Sequence, residues 1–287
     1  MPSKPEPVTP AFLRDWPLPK PSGSKHERGN VLVIGGARRT PGAAMLAGIA
    51  SLRVGAGRLT LAVGESSATA IAVAIPESGV TGLPETNAGA VLGSGLSVLE
   101  KDIESASCIL AGPGLDDPGQ AGALIRAIAH LAPKDTPIVL DAFALGPLAK
   151  EEDAVEALSG RLMLTPNTTE AEFLLGRDTG DLADDAAEIA DRFGATVNLM
   201  DVVAEPGGRR WQITTGPVGL ATSGSGDVLA GALAGIRARG ADAEQAACWA
   251  GYLHAAAGDR LAARVGPVGF LASEILDELP ALLAELS

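Results

Sequence analysis

Short apolar runs alternate with helix-spaced stretches along most of this chain. V-L-V-I at Val31–Ile34, closed by Gly35 and Gly36, reads as a buried strand ending in a turn. Ala, Met, Leu and Ile recur at helical spacing over Gly42–Val54, and R-L-T-L-A-V at Arg58–Val63 reads as a second strand. The alternation continues with a strand at Cys108–Gly114, a helix through Ile125 and Ile128, and strands at Pro137–Asp141 and Arg161–Pro166. Helices at Glu170–Gly176 and Asp184–Phe193 and a strand at Arg210–Thr214 follow. The last third reads as helices over Asp227–Gly240, Ala243–Ala263 and Ala272–Leu286. Residues 1–25, rich in Pro, Ser and Lys, read as an extended arm rather than a packed element.

Strands alternating with helices predict an α/β fold, a three-layer sandwich with a mostly parallel central sheet and helices on both faces. No linker divides the chain after the arm, so residues 26–287 read as one domain. In such sheets a ligand crevice lies beyond the carboxyl ends of the strands. The loops at Gly35–Gly42, Gly112–Asp117, Asp141–Leu145, Thr165–Glu170 and Gly224–Asp227 are therefore the candidates for chemistry.

Composition narrows the choice. The 287 residues are 46% apolar but only 3% aromatic, with Ala and Gly dominant, which predicts close packing of small side chains. The net charge of −13 argues against nucleic acid or an anionic membrane as the main partner. A phosphorylated ligand would need backbone amides and a metal to offset its charge. Cys108 and Cys248 are isolated, giving neither a disulfide framework nor a metal knuckle. His26, His130 and His254 have no companions for a zinc site, and no metal-ligand set is read. His254, alone on a helix, reads as a hydrogen-bonded core residue sooner than a catalyst. The chain shows no secretory signal and no apolar run of about 18 residues, so a cytoplasmic location is the default.

The most informative stretch is A-T-S-G-S-G-D-V-L-A-G at Ala221–Gly231. Gly224, Ser225 and Gly226 deliver Asp227 into a helix start, where free N–H groups and the helix dipole favour an anion. Beside bound phosphate, Asp227 could take a proton from a reacting hydroxyl; the plain alternative is a helix N-cap. G-G-A-R-R-T-P-G at Gly35–Gly42 is neither a P-loop nor a dinucleotide fingerprint. Asp116 and Asp117 could face a cation or solvent, and Asp141 could be structural or part of a phosphate site. Asn167 and Glu170 stand at the next strand end, where Thr168 or Thr169 with Glu172 would equally serve as caps.

Taken in order, these loops resemble the ribokinase-like superfamily, and within it the ADP-dependent NAD(P)H-hydrate dehydratases. The carriers are V-L-V-I-G-G-A, G-A-A-M-L-A, S-L-R-V-G-A-G-R-L-T, A-G-P-G-L, V-L-D-A-F-A-L, L-T-P-N-T-T-E, G-L-A-T-S-G-S-G-D-V-L-A-G and Y-L-H-A-A-A-G-D. The resemblance implies dehydration of hydrated NADH or NADPH, with ADP or ATP as co-substrate and Mg²⁺ as cofactor. It implies Asp227 as the base, Thr222, Gly224, Ser225 and Gly226 as nucleotide contacts, and Ala43, Gly114, Asn167 and Asp227 as substrate contacts. It also implies a homo-oligomer. A sugar or vitamin-precursor kinase, or a lapsed nucleotide-binding relative, are the alternatives. The chain departs from the family at Thr40 (usually Tyr), at Phe143 (usually Asp) and at Asn167–Thr169 (usually H-P-G). Val197–Ala204 lacks the expected lysine-glycine and looks shortened.

Overall fold

A computed structural model describes residues 4–20 and 23–287. Its strands are β1 (Glu6–Val8), β2 (Asn30–Ile34), β3 (Arg58–Gly64), β4 (Gly79–Leu83), β5 (Cys108–Ala111), β6 (Ile138–Leu140), β7 (Leu162–Leu164), β8 (Ala195–Leu199), β9 (Val202–Ala204) and β10 (Arg210–Ile213). They form one sheet in the order β1-β10-β9-β8-β7-β6-β5-β2-β3-β4. All strands from β8 across to β4 run parallel, β9 is antiparallel to both neighbours, and β1 lies parallel to β10.

β2, β5, β6 and β7 are buried at every position, as parallel strands covered on both faces must be. Alternate residues feed different cores. Val31 and Val33 join Leu110, Val139 and Met163 under the helices Pro41–Arg53, Ser225–Ala238, Ala243–Arg264 and Ala272–Leu286. Leu32 and Ile34 join Ile109, Leu140 and Leu164 under Pro118–Leu131, Thr168–Leu175 and Leu182–Phe193.

The amino-terminal stretch departs from the expected unpacked arm. Glu6–Val8 extends the sheet beyond β10, and Pro10–Asp15 is helical, with Thr9 Oγ1 accepting from Phe12 N. Val8 and Leu13 are fully buried. The Trp16 ring stacks on Trp211, and its carbonyl accepts from Trp249 Nε1 and Gln245 Nε2. Burying side chains such as Val8 and Leu13 is worth about 1.5–3 kcal/mol each. The prolines mark local punctuation, whereas the groove that these residues fill is built from chain more than 190 positions later.

The small-residue composition is used where Pro41–Arg53 meets Ser225–Ala238. A Cβ on Gly231 would run into the Ala47 carbonyl, and one on Gly235 would meet the Ser51 backbone at 2.6 Å. Only glycine permits backbones this close, and the approach brings the start of Ser225–Ala238 against the start of Pro41–Arg53. The chain order reverses between β2 and β5, where β3 lies to one side and β5 to the other. A crevice opens at such a point beyond the strands' carboxyl ends. No described helix is long and apolar enough to cross a membrane.

Candidate active site

Five loops meet at this crevice. Gly36 N donates to Pro113 O, Ala37 N and Thr40 Oγ1 both donate to Gly114 O, and so the loops after β2 and β5 are laced together. Gly114 holds φ 74, and a Cβ there would collide with Thr40 O and sit 3.1 Å from the Ala43 Cβ. Ala43 and Gly114, 71 positions apart in the chain, are therefore neighbours on one wall. Thr40 serves this lacing through its hydroxyl.

The second wall is the start of helix Ser225–Ala238. Its N-cap is Gly224, at φ 88 in the left-handed region that glycine enters without cost. A Cβ on Gly224 would lie 2.7 Å from Leu46 Cδ1, which ties this turn to helix Pro41–Arg53. Asp227 stands three residues inside the helix and makes no capping bond, so the N-cap alternative fails. Ser225 N already donates to Thr222 O. Among the described residues, the amides of Gly224, Gly226 and Asp227 have no backbone partner. The free donors are thus displaced by one from the expected set, with Asp227's own amide replacing that of Ser225. Gly226 is exposed and open above its Cα. Thr222 supplies its carbonyl to the turn.

Three carboxyl groups from these loops lie within electrostatic reach of one another. Asp141, after β6, is 3% exposed and accepts from Thr165 Oγ1 at 2.5 Å. Burial pushes its pKa well up, and the charges of Asp227 and Glu170 add to the rise. Burial, then the charge of Glu170, lifts Asp227 to about 6. Burial raises Glu170 too, against the bond from Asn167 N. A carboxyl lifted towards neutrality suits proton transfer. Ala142, next to Asp141, holds φ 47, a strained value for a residue with a Cβ. Among the described residues, no three His, Cys, Asp or Glu side chains are grouped to hold a metal ion.

Asn167 is exposed at the crevice edge and carries a second duty. Its Oδ1 accepts from Glu170 N while Glu170 Oε2 accepts from Asn167 N, a reciprocal capping box on helix Thr168–Leu175. This replaces the expected pairing of Thr168 or Thr169 with Glu172. Asp117 likewise caps Pro118–Leu131 and Asp116 is exposed, so neither joins the carboxyl group. Where a lysine-glycine was expected, Met200 and Asp201 form the tight hairpin turn between β8 and β9, which accounts for the shortened look.

His254 is hydrogen-bonded, as expected of a core histidine, and the fold supplies the partner. Its Nε2 lies 2.8 Å from Ser225 Oγ, at the foot of the helix start. The only signal in the sequence is that both stand on helices rich in small residues, which do not reveal their pairing.

The comparisons show the family and the fold. The profile of the Carb_kinase family, described as NAD(P)H-hydrate dehydratase, matches residues 31–281. The chain belongs to this family. It is 42% identical to the ADP-dependent (S)-NAD(P)H-hydrate dehydratase of Xanthomonas campestris, over 97% of this chain and 96% of that one. It is 36% identical to the bifunctional NAD(P)H-hydrate repair enzyme of Moorella thermoacetica, over 97% of this chain but only 54% of that longer protein. The crystal structure of the Bacillus subtilis ADP/ATP-dependent NAD(P)H-hydrate dehydratase, co-crystallised with ATP/Mg²⁺ and soaked with CoA, superposes with a TM-score of 0.79. That match has 26% identity and covers 99% of this chain and 100% of that one. The three-layer sandwich of this dehydratase family is ribokinase-like, as the resemblance implied.

Proposed function

We propose that this protein repairs hydrated NADH and NADPH by nucleotide-dependent dehydration. The observation that carries the reading is Asp227: a carboxyl raised to about 6, free of any capping duty, beside amides that have no backbone partner among the described residues. Asp227 takes the proton of the ring hydroxyl as that oxygen attacks the terminal phosphorus of ADP. AMP leaves. The phosphorylated ring then expels inorganic phosphate and loses a ring proton, restoring the dihydronicotinamide double bond. The elements of water end in the phosphate.

The amides of Gly224, Gly226 and Asp227 would receive the phosphoryl oxygens, where the dipole of a 14-residue helix adds positive character. Ala43, Gly114 and Asn167 would border the ring. Val218, Val268 and Leu271 are exposed apolar residues near the helix start, with Gly219 packed on Pro267 and Gly224 on Ala272. They offer a seat for the co-substrate's base. The oxygen donors Glu170 and Asp227 suit a hard cation, and they would face Mg²⁺ carried on the nucleotide. That ion would offset phosphate charge. ADP serves as phosphoryl donor in this reading, as in the Xanthomonas relative's name. We place the reaction in the cytoplasm, in a homo-oligomer.

The test mixes the protein with NADH or NADPH hydrate, ADP and Mg²⁺. Recovery of the reduced ring's near-ultraviolet absorbance, matched by inorganic phosphate, is expected. A stable phosphorylated product without ring recovery would reassign the protein as a kinase.

A further inference from the structure

A cavity of about 840 Å³ adjoins the candidate site without being used by the chemistry above. It opens past Asn167 and Glu170 and is lined by Leu115, Phe143, Pro147 and Phe173, with Arg126 and Lys150 as its cations. Leu115 follows Gly114, so the cavity continues directly from the wall that would border the ring. Its size matches a bound nucleotide. A second cavity, of about 400 Å³ around Ser159 and Arg192, lies before β7 and β8, at the wrong end of the strands.

The lining has a definite chemistry. Phe143 and Phe173 are 39% and 62% exposed, large aromatic faces turned into a concave site. Uncovered aromatic surface of this kind favours a flat, apolar occupant. Arg126 is committed to Glu151, Nη1 to Oε1 at 2.5 Å. Lys150 has no ion-pair or hydrogen-bond partner for its ammonium among the described residues. Lys150 is exposed at the edge of this cavity, so its ammonium is available to an anionic group on a ligand held there.

Resting on the dehydratase reading, we propose that this cavity holds the adenosine half of the hydrated dinucleotide, with Lys150 reading the 2′-phosphate. The enzyme then prefers the NADPH hydrate. The base stacks on Phe143 and Phe173 while the hydrated ring reaches Asp227. The co-substrate is a poor candidate for the same seat. In the reading above its terminal phosphate meets the amides of Gly226 and Asp227, and the exposed Val218, Val268 and Leu271 offer its base another seat.

The experiment is calorimetry on the whole protein with ADP and Mg²⁺ at saturation, titrated with adenosine 2′,5′-bisphosphate and separately with AMP. The bisphosphate is expected to bind about tenfold tighter, as a charge-assisted phosphate contact gives. Lys150→Ala should erase that difference, and Phe143→Ala should weaken both ligands about fivefold. Both residues are exposed, so melting temperatures are expected to hold and are measured alongside. Kinetically, Lys150→Ala should raise the ratio of KM for NADPH hydrate to KM for NADH hydrate about tenfold. A wild type without preference, or a variant that keeps it, overturns the proposal. A parallel rise in the KM for ADP also overturns it, by giving the cavity to the co-substrate. Calorimetry needs no turnover, so its failure is distinct from a failure of the dehydratase reading.

Discussion

Ser225 Oγ and His254 Nε2 lie 2.8 Å apart, joining the first residue of helix Ser225–Ala238 to the middle of helix Ala243–Arg264. Burial pushes the imidazole pKa down to about 4, so the ring is neutral at physiological pH and has one donor and one acceptor nitrogen. His254 is a positioning residue for the helix start. His254→Ala should weaken ADP binding about two- to tenfold by calorimetry, the worth of one net hydrogen bond. His254→Gln, which keeps a polar reach, should recover most of it. A pH signature accompanies the change. The folded pKa lies below the ordinary 6.5, so the stability linked to the neutral ring is full above 6.5 and drains as pH falls towards 4. His254→Gln should lose less melting temperature over that interval than the parent.

Asp227→Asn should abolish turnover while preserving the fold. Loss of a general base costs about two to four powers of ten in rate. Asp227 is not a cap, so no helix bond is lost with it. Its folded pKa, about 6, is above the ordinary carboxyl value. The stability tied to the protonated form is therefore present in acid and lost as pH rises through 6. The amide escapes this loss. The variant should melt at a higher temperature than the parent at pH 8, and the gain should shrink at pH 5. A variant retaining a third of the parent rate would remove Asp227 from the chemistry.

The rate itself should follow the same group. A base must be unprotonated, so kcat/KM should rise with pH through an inflection near 6 and level off above it. Glu170→Gln removes the second-largest cause of the raised value and should move the inflection to lower pH. A steady-state pH profile of the two proteins makes the comparison. An inflection that stays put in the variant contradicts the assignment.

Asn167 should separate into two measurable roles. Its Oδ1 caps Glu170 N, so Asn167→Ala should cost about 1 kcal/mol of stability by denaturant titration. Asn167→Asp keeps the capping oxygen and should retain that stability. It loses the amide donor but adds a charge beside Glu170, so a change in KM for the hydrate shared by Asn167→Ala and Asn167→Asp reports substrate contact. If the KM moves by less than twofold in both variants, Asn167 is a cap only.

Local pattern was enough to read the parallel core. β2, β5, β6 and β7 are continuous apolar runs because helices cover both their faces, and burial of this kind is written directly in residue type. The G-S-G-D stretch was legible for a similar reason, since a left-handed turn at Gly224 and a carboxylate one turn inside a helix are local features. Pairings between distant segments were not legible. Glu6–Val8 became a strand only because β10 offered an open edge, and Val8 and Leu13 became core only because that edge was there. Periodicity says that a helix has a small-residue face; it does not say that Gly231 will rest on Ala47 and so bring Gly224 to Leu46. The raised pKa of Asp227, the Ser225–His254 bond and the cavity between Phe143 and Phe173 all depend on such long-range approach. Residue types and spacings determined which groups were on hand and which strands would be buried. Burial, electric field and cavity shape depend on distances between segments far apart in the chain, and these only the tertiary structure decided.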